Sequence, residues 1–144
     1  MALLSAQDRA TVEKHLEGLA HQVTLLFFTQ TIGAPETVHL AKQVVNELAE
    51  LNPKITVEEV NLVLDRDRAT QFGIENVPAI VLLKDGADTR MRFLGVPAGY
   101  EFMSLVEAVI LAGTADSQLA PESRRLIATH VTGPVDIQVY VTPT

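Results

Sequence analysis

A proline followed by an unbroken apolar run is the feature that most constrains the fold of this chain. Val77-Pro78 leads into Ala79-Ile80-Val81-Leu82-Leu83, and that run stops at Lys84-Asp85-Gly86. A short apolar run bounded by turn residues predicts a strand that is covered on both faces. Thr89 to Leu94 then alternates polar and apolar residues, which predicts a second strand and therefore a β-hairpin.

The rest of the first 113 residues predicts alternating helices and strands. Ser5 and Asp8 have the spacing of a capping box at the start of a first helix. Val23 to Phe28 is β-branched, aromatic and nearly all apolar, as a central strand is. Pro35 fits the first turn of the next helix, because its missing N–H would have no partner there. Gly113 predicts the end of the last helix, so the order α-β-α-β-α-β-β-α forms one α/β domain.

The composition excludes several classes of function. The chain has 144 residues, no cysteine and a net charge of −7, and its 11 Lys and Arg residues are scattered. Nucleic-acid binding therefore has no electrostatic support, and this segment cannot itself perform thiol exchange. The apolar runs fall far short of the roughly 20 residues that cross a bilayer, and the N-terminus does not have the pattern of a signal peptide. We expect a cytoplasmic protein that binds neither nucleic acid nor membranes.

The element order, the Val77-Pro78 step and the hairpin resemble a thioredoxin-like or glutaredoxin-like fold. This resemblance implies a mixed four-stranded sheet flanked by helices and a cis Val77-Pro78 peptide bond. It also implies a groove beside Pro78, in which members of the family hold an extended peptide or glutathione. The family's cysteine pair follows the first strand, which here is the stretch Thr29 to Glu36. No cysteine stands there.

Two further runs narrow the resemblance. Arg92 to Pro97 and Gly99 to Val106 are similar to the N-terminal domain of the flavoprotein subunit of alkyl hydroperoxide reductase. The same layout is similar to the first half of the tandem protein disulfide oxidoreductases. Both families join two thioredoxin folds, and the second fold begins with a strand that leads into a Cys-x-x-Cys pair. The first fold of the peroxide reductase flavoprotein lacks that pair, as this chain does.

The resemblance implies three segments. Residues 1–113 form a thioredoxin-like domain without its Cys-x-x-Cys, and residues 114–134 form a linker and a helix with Pro121 in its first turn. Val135 to Val141 alternates apolar and polar residues, which predicts a strand. Residues 135–144 are then the first strand of a truncated second thioredoxin-like fold. We expect the redox-active cysteine pair of that second fold just after Thr144, in a longer parent protein.

The candidate binding residues lie in the degenerate active-site loop and beside the proline. They are Thr29, Gln30, Thr31, Pro35, Val77 and Pro78. No catalytic residue is assigned, because a hydroxyl such as that of Thr31 is a poor nucleophile without a base. The histidines lack a second histidine at ligand spacing, so neither a metal site nor a cofactor is predicted.

These features favour a non-catalytic first half of a tandem disulfide oxidoreductase. Its role would be structural and in docking: it would pack against the second thioredoxin fold and help to bind a peroxidase or reductase partner. The alternative is a stand-alone module that holds a peptide or glutathione in the groove at Val77-Pro78. A homodimer formed through the last strand also stays open, because exposed strand edges recruit partners.

Overall fold

The computed structural model describes residues 3–141, which form four strands and five helices. In chain order, these elements are α1 (Ala6–Leu16), β1 (Val23–Thr29), α2 (Thr37–Ala49), β2 (Ile55–Asn61), α3 (Arg66–Phe72), β3 (Ala79–Lys84), β4 (Ala87–Leu94), α4 (Tyr100–Thr114) and α5 (Pro121–His130). The order predicted for the first 113 residues is therefore confirmed, and α5 begins at the predicted Pro121.

The four strands form one mixed sheet in the order β2-β1-β3-β4. β1 runs parallel to β2, and β3 runs antiparallel to both β1 and β4. The pairs Phe28 with Ala79 and Ala79 with Leu94 place the end of β1, the start of β3 and the end of β4 side by side. Thr29 pairs with Asn61 at the end of β2. The ends of β1, β2 and β4 and the start of β3 therefore lie along the same edge of the sheet, which is formed by strand ends and not by an outer strand.

Both faces of β1 are buried, which explains why its sequence is continuously apolar. Leu25 and Phe27 belong to a core cluster shared with α1, α2 and α4, whereas Leu26 and Phe28 belong to a second cluster that includes Ala69 of α3. Successive side chains of a strand point to opposite faces, so each face of the sheet receives alternate residues. Three helices thus cover one face and α3 covers the other.

Gly113 does not end α4, contrary to the prediction. α4 continues to Thr114, and Ala115 adopts the left-handed conformation that ends the helix, with φ 54°. A Cβ atom at position 113 would lie 2.4 Å from Cδ2 of Leu19 and 3.3 Å from Cγ2 of Val23. The Gly113 carbonyl also accepts hydrogen bonds from two backbone N–H groups of the turn before β1, each at 2.9 Å. Glycine is present here because the side chains of Leu19 and Val23 pack directly against the helix backbone.

Pro35 also lies outside its predicted position. α2 begins at Thr37 with Glu36 as its N-cap, so Pro35 precedes the helix. Its carbonyl accepts the Val38 N–H at 3.0 Å, which closes a turn against the helix start.

The strand predicted for residues 135–144 is not part of the sheet. Residues 135–141 are exposed and have no assigned strand, and residues 142–144 lie outside the described part of the chain. A strand requires a neighbour for its backbone hydrogen bonds, and residues 135–141 pair with neither of the two outer strands, β2 and β4.

Candidate functional site

The sheet brings the two predicted site segments together at one edge. Thr29 is the last residue of β1, and Pro78 immediately precedes β3. Because Phe28 pairs with Ala79, Thr29 and Pro78 occupy the next positions on two adjacent strands. Adjacent strands lie about 4.8 Å apart, so the loop after β1 and the Val77-Pro78 segment are neighbours.

The loop after β1 is held by polar contacts with itself and with the residues that follow β2. The Gln30 side-chain amide donates to the Gly33 carbonyl at 2.9 Å, and the Leu62 N–H donates to the Thr29 carbonyl at 2.7 Å. Gly33 has φ 69°, a left-handed conformation that favours glycine. Ile32, between these contacts, is 89% exposed. The loop therefore has a fixed path and presents an apolar side chain at its tip.

Among the described residues, Thr31 has no hydrogen-bond partner that could act as a base. Its Oγ1 atom accepts a hydrogen bond from the Asn61 side-chain amide at 3.2 Å, and within residues 3–141 no carboxylate or imidazole bonds it. An amide donor does not remove a proton, so the hydroxyl remains a weak nucleophile.

Asn61 organises this edge of the sheet, although the sequence did not single it out. Its Oδ1 atom accepts the N–H groups of Val63 and Leu64 at 3.0 and 3.1 Å, while its amide nitrogen bonds Thr31. An asparagine at the end of a strand commonly bonds the backbone two residues later, which is the signal that could have identified it. Val63 and Leu64, 56% and 81% exposed, are thereby fixed at the same edge as Ile32.

A groove of about 370 Å³ lies beside Val77-Pro78. Its walls are Gly73, Glu75, Asn76, Val77, Pro78, Leu94 and Gly95. The Val77–Pro78 peptide bond is cis, and the Pro78 carbonyl accepts the Gly95 N–H at 2.9 Å. The Val77 side chain packs against both core clusters, but its backbone N–H and C=O have no hydrogen-bond partner within residues 3–141. These two groups are free to pair with an extended ligand.

Arg92 of β4 connects the two sides of this groove, which are the end of α3 and the end of β4. Its guanidinium donates to both carboxylate oxygens of Asp88 at 2.8 and 2.7 Å, and its Nε donates to the Phe72 carbonyl at 3.2 Å. The same guanidinium lies 5.8 Å from the centre of the Phe72 ring, a cation–π contact. The hydrogen bonds from Arg92 lower the pKa of Asp88 from 3.8 to about 2. The end of α3 is thus connected to β4 beside the groove.

Glu47 is a buried carboxylate on α2 that the sequence did not indicate. It accepts the N–H groups of Leu3 and Leu4 at 2.6 and 3.1 Å and the Gln43 side-chain amide at 3.0 Å. Burial alone would raise the pKa of Glu47, but these hydrogen bonds outweigh it and lower that pKa. Glu47 thereby holds the N-terminal segment over a cavity of about 240 Å³ bounded by α2 and the start of α4.

Residues 3–141 contain neither a metal-binding cluster nor a membrane span. No group of three or more acidic or histidine side chains in this range could hold a metal ion. None of the helices formed by these residues has the length and apolar character needed to cross a membrane.

No protein-family model matches the chain. Among curated proteins, it is 26% identical over 145 residues to the F subunit of alkyl hydroperoxide reductase of Staphylococcus epidermidis, covering 99% of this chain and 25% of that protein. It is 27% identical over 138 residues to the corresponding protein of Escherichia coli K12, covering 96% of this chain and 24% of that protein. The chain therefore spans about a quarter of the length of these relatives.

Solved structures agree with this relationship. The NTD_N/C domain of alkyl hydroperoxide reductase AhpF from Enterococcus faecalis superimposes with a TM-score of 0.79 at 29% identity, over 88% of this chain and 60% of that one. A protein disulfide oxidoreductase from Aeropyrum pernix gives a TM-score of 0.73 at 22% identity, over 85% of this chain and 53% of that one. The chain has a thioredoxin-like fold.

The resemblance inferred from the sequence is thereby confirmed. In this thioredoxin-like fold, the loop after β1 occupies the place that the sequence analysis assigned to the family's cysteine pair. The residues present there are Thr29, Gln30, Thr31 and Pro35, and the chain contains no cysteine at any position.

Proposed function

We propose that this chain is a non-catalytic thioredoxin-like fold that forms the first half of a tandem disulfide oxidoreductase of the AhpF type. The coarse part of this proposal, a redox-related role, is supported by the similarity to the AhpF proteins. The observation that carries the finer part is the cysteine-free loop after β1, in which the Thr31 hydroxyl bonds the Asn61 amide and has no carboxylate or imidazole partner within residues 3–141. A cytoplasmic location is part of the proposal.

The C-terminal residues supply the surface for the second half. No residue of α5 is buried, although Leu126 and Ile127 are 43% and 48% exposed apolar side chains. Val135, Ile137, Val139 and Val141, which alternate with polar residues, are each at least 65% exposed. We assign residues 135–144 as the first strand of the second thioredoxin-like fold, within which these side chains become buried.

We assign the docking surface to three exposed apolar residues in the loops that follow β1 and β2. Ile32, Val63 and Leu64 lie at the end of the sheet where β1 and β2 finish, and all three are more than half exposed. Exposed apolar patches on a folded domain often mark a contact with another protein, and we assign these three side chains to one such patch. We assign this edge to a peroxidase or reductase partner, or to the second fold of the parent protein.

The coding sequence downstream of Thr144 tests the tandem arrangement. A Cys-x-x-Cys pair within about ten codons, at the end of a strand such as 135–144, is the expected result. A stop codon directly after Thr144 would contradict the arrangement.

Disulfide-reduction kinetics of the parent protein test the docking role. Ile32→Asp with Leu64→Asp should raise the KM for the protein partner while the parent still folds, because charges at the centre of an apolar contact are costly. Leu40→Asp, on an exposed position of α2, is the matched control. Equal kinetics for the two variants would reject the docking role of this edge.

A second candidate is a stand-alone module that binds a peptide or glutathione beside Val77-Pro78. The groove of about 370 Å³ and the unpaired Val77 backbone groups favour it. Titration calorimetry with glutathione and with an extended apolar peptide tests it directly. Binding that is lost in Leu94→Asp but kept in Leu40→Asp would support the module, and no heat at millimolar ligand would exclude it.

A further inference from the structure

The linker between α4 and α5 combines strained backbone conformations with a closed set of hydrogen bonds. Ala115 and Gln118 have φ values of 54° and 57°, in the left-handed region. Residues with side chains adopt such values uncommonly, and they persist where surrounding contacts determine the conformation. The linker therefore requires contacts that hold it in this path.

Arg124 supplies those contacts. Its Nη2 atom donates to Oδ1 of Asp116 at 2.6 Å, and its Nε atom donates to the Leu119 carbonyl at 2.8 Å. The same Oδ1 atom of Asp116 accepts the Gln118 N–H at 3.2 Å. One guanidinium in the first turn of α5 is thus bonded to both ends of the segment 116–119.

Within residues 3–141, no side-chain hydrogen bond other than those of Arg124 joins α5 to the rest of the chain. None of its residues is buried. Its remaining side-chain hydrogen bonds within the described chain are internal to the helix, as between Arg125 and Glu122 at 2.5 and 3.0 Å. The direction of α5 therefore depends on the linker.

We propose that Arg124 is a positioning residue that fixes the direction of α5, and of whatever follows it, relative to the α/β domain. Exposed ion pairs contribute little to the stability of a folded domain. Alternative conformations of a short linker, however, differ by similarly small free energies, so a contact of this size decides between them. The inference does not depend on the proposed function, since it concerns geometry within this chain.

Distance measurements between two spin labels test the proposal on the full chain. Ser104→Cys on α4 and Ala128→Cys on α5 place labels at exposed positions, and no native cysteine competes for the label. Double electron–electron resonance should give one narrow distance peak. In Arg124→Ala the population of this peak should fall roughly two- to fivefold and the distribution should broaden. Arg124→Lys should recover part of the peak, because lysine can reach Asp116 but lacks the planar fork.

Arg125→Ala is the matched control, since it removes the same side chain one position later and breaks only contacts inside α5. Thermal unfolding followed by circular dichroism verifies that both alanine variants remain folded. Three results would overturn the proposal. They are a broad distance distribution in the labelled chain that keeps Arg124, an unchanged peak in Arg124→Ala, and equal broadening in Arg125→Ala.

Discussion

At the scale of single residues, two residues of the same type can have different structural roles in this fold. Gly113 is required by a close contact with Leu19 and Val23, whereas Gly18 has no atom within 4 Å of the position of a Cβ. Glu47 and Asp88 are both carboxylates with lowered pKa values, but backbone N–H groups dominate the hydrogen bonds of the first and an arginine those of the second. Residue type alone does not reveal these differences.

Replacing Gly113 with alanine should destabilise the fold by about 1 kcal/mol. The new methyl group overpacks the contact with the buried Leu19, which costs about 1–3 kcal/mol, and higher helix propensity offsets up to about 1 kcal/mol. Chemical denaturation measures the change. Gly18→Ala is the control and should be neutral or slightly stabilising. Equal effects at the two positions would show that the contact is unimportant.

The pair formed by Asp88 and Arg92 should contribute stability that depends on pH. Because the folded-state pKa of Asp88 lies at about 2, below the ordinary 3.8, the contribution is complete above 3.8 and is lost as pH falls towards 2. We expect about 1 kcal/mol, since the carboxylate is 34% exposed and partly screened.

Denaturation of the unsubstituted chain and of Asp88→Asn across this pH range tests the contribution of the Asp88–Arg92 pair to stability. The difference in unfolding free energy should shrink as pH falls from 3.8 to about 2. In an Arg92→Gln background, Asp88→Asn should change the pH dependence less, because only the hydrogen bond from the Arg90 N–H at 2.8 Å and the Arg90 charge then lower the pKa of Asp88, and the difference between the two backgrounds isolates the pair. A difference that stays constant with pH would refute the assignment.

At the scale of elements, caps and turns are predictable where the signal is local. Ser5 is the N-cap of α1 and accepts the Asp8 N–H at 3.1 Å, and its own hydroxyl donates to the Asp8 carboxylate at 2.6 Å. Gly73 ends α3 with φ 68°, a left-handed conformation that favours glycine. Both residues act on neighbours within a few positions, so the sequence alone specifies them.

Removing the cap of α1 should cost about 1 kcal/mol. Ser5→Ala leaves the Asp8 N–H without its acceptor, and losing such a cap destabilises a helix by about 0.5–2 kcal/mol. The free energy of unfolding in urea provides the measurement. Ser104→Ala, in the exposed part of α4, is the control and should be neutral or slightly stabilising. A cap variant as stable as this control would show that the Ser5 cap contributes little to the stability of α1.

Features that depend on distant residues escaped prediction for physical reasons. Glycine is typical of the end of a helix, so the sequence predicts that α4 stops at Gly113. Only the packing of Leu19, which is distant in sequence, explains why a glycine lies inside the helix. Glu47 is one carboxylate among several on helices, and its burial depends on the N-terminal segment. The segments at Thr29 and Pro78 could be located from the sequence because they flank two strands that pair, whereas Asn61 and Arg92 act through contacts across the sheet.

At the scale of the whole molecule, the fold consists of a well-packed α/β domain and a separate C-terminal extension. The domain ends with α4, whereas α5 and residues 131–141 have no buried residue. The relatives are about four times as long as this chain, and we propose that further residues of a longer parent protein cover this extension.

Deleting residues 134–144 should leave the stability of the domain unchanged within about 0.5 kcal/mol. The described residues of that segment are exposed, and the side-chain hydrogen bond from Tyr140 reaches only Gln138. Thermal and urea unfolding compare the shortened and full chains. Deletion from Gly113 onward is the control and should be destabilising, because it removes the carbonyl that binds the turn before β1. A large loss of stability in the shorter deletion would contradict the division.

The central position of β1 and β3 has a consequence for the dynamics of the molecule. Each of these strands has a hydrogen-bonded neighbour on both sides and is buried on both faces, so its amide hydrogens should exchange with solvent only when the whole domain unfolds. The amides of α5 should exchange through local opening, many orders of magnitude faster. Native-state hydrogen exchange should therefore show two kinetic regimes in one short chain, with the boundary between them at the end of α4.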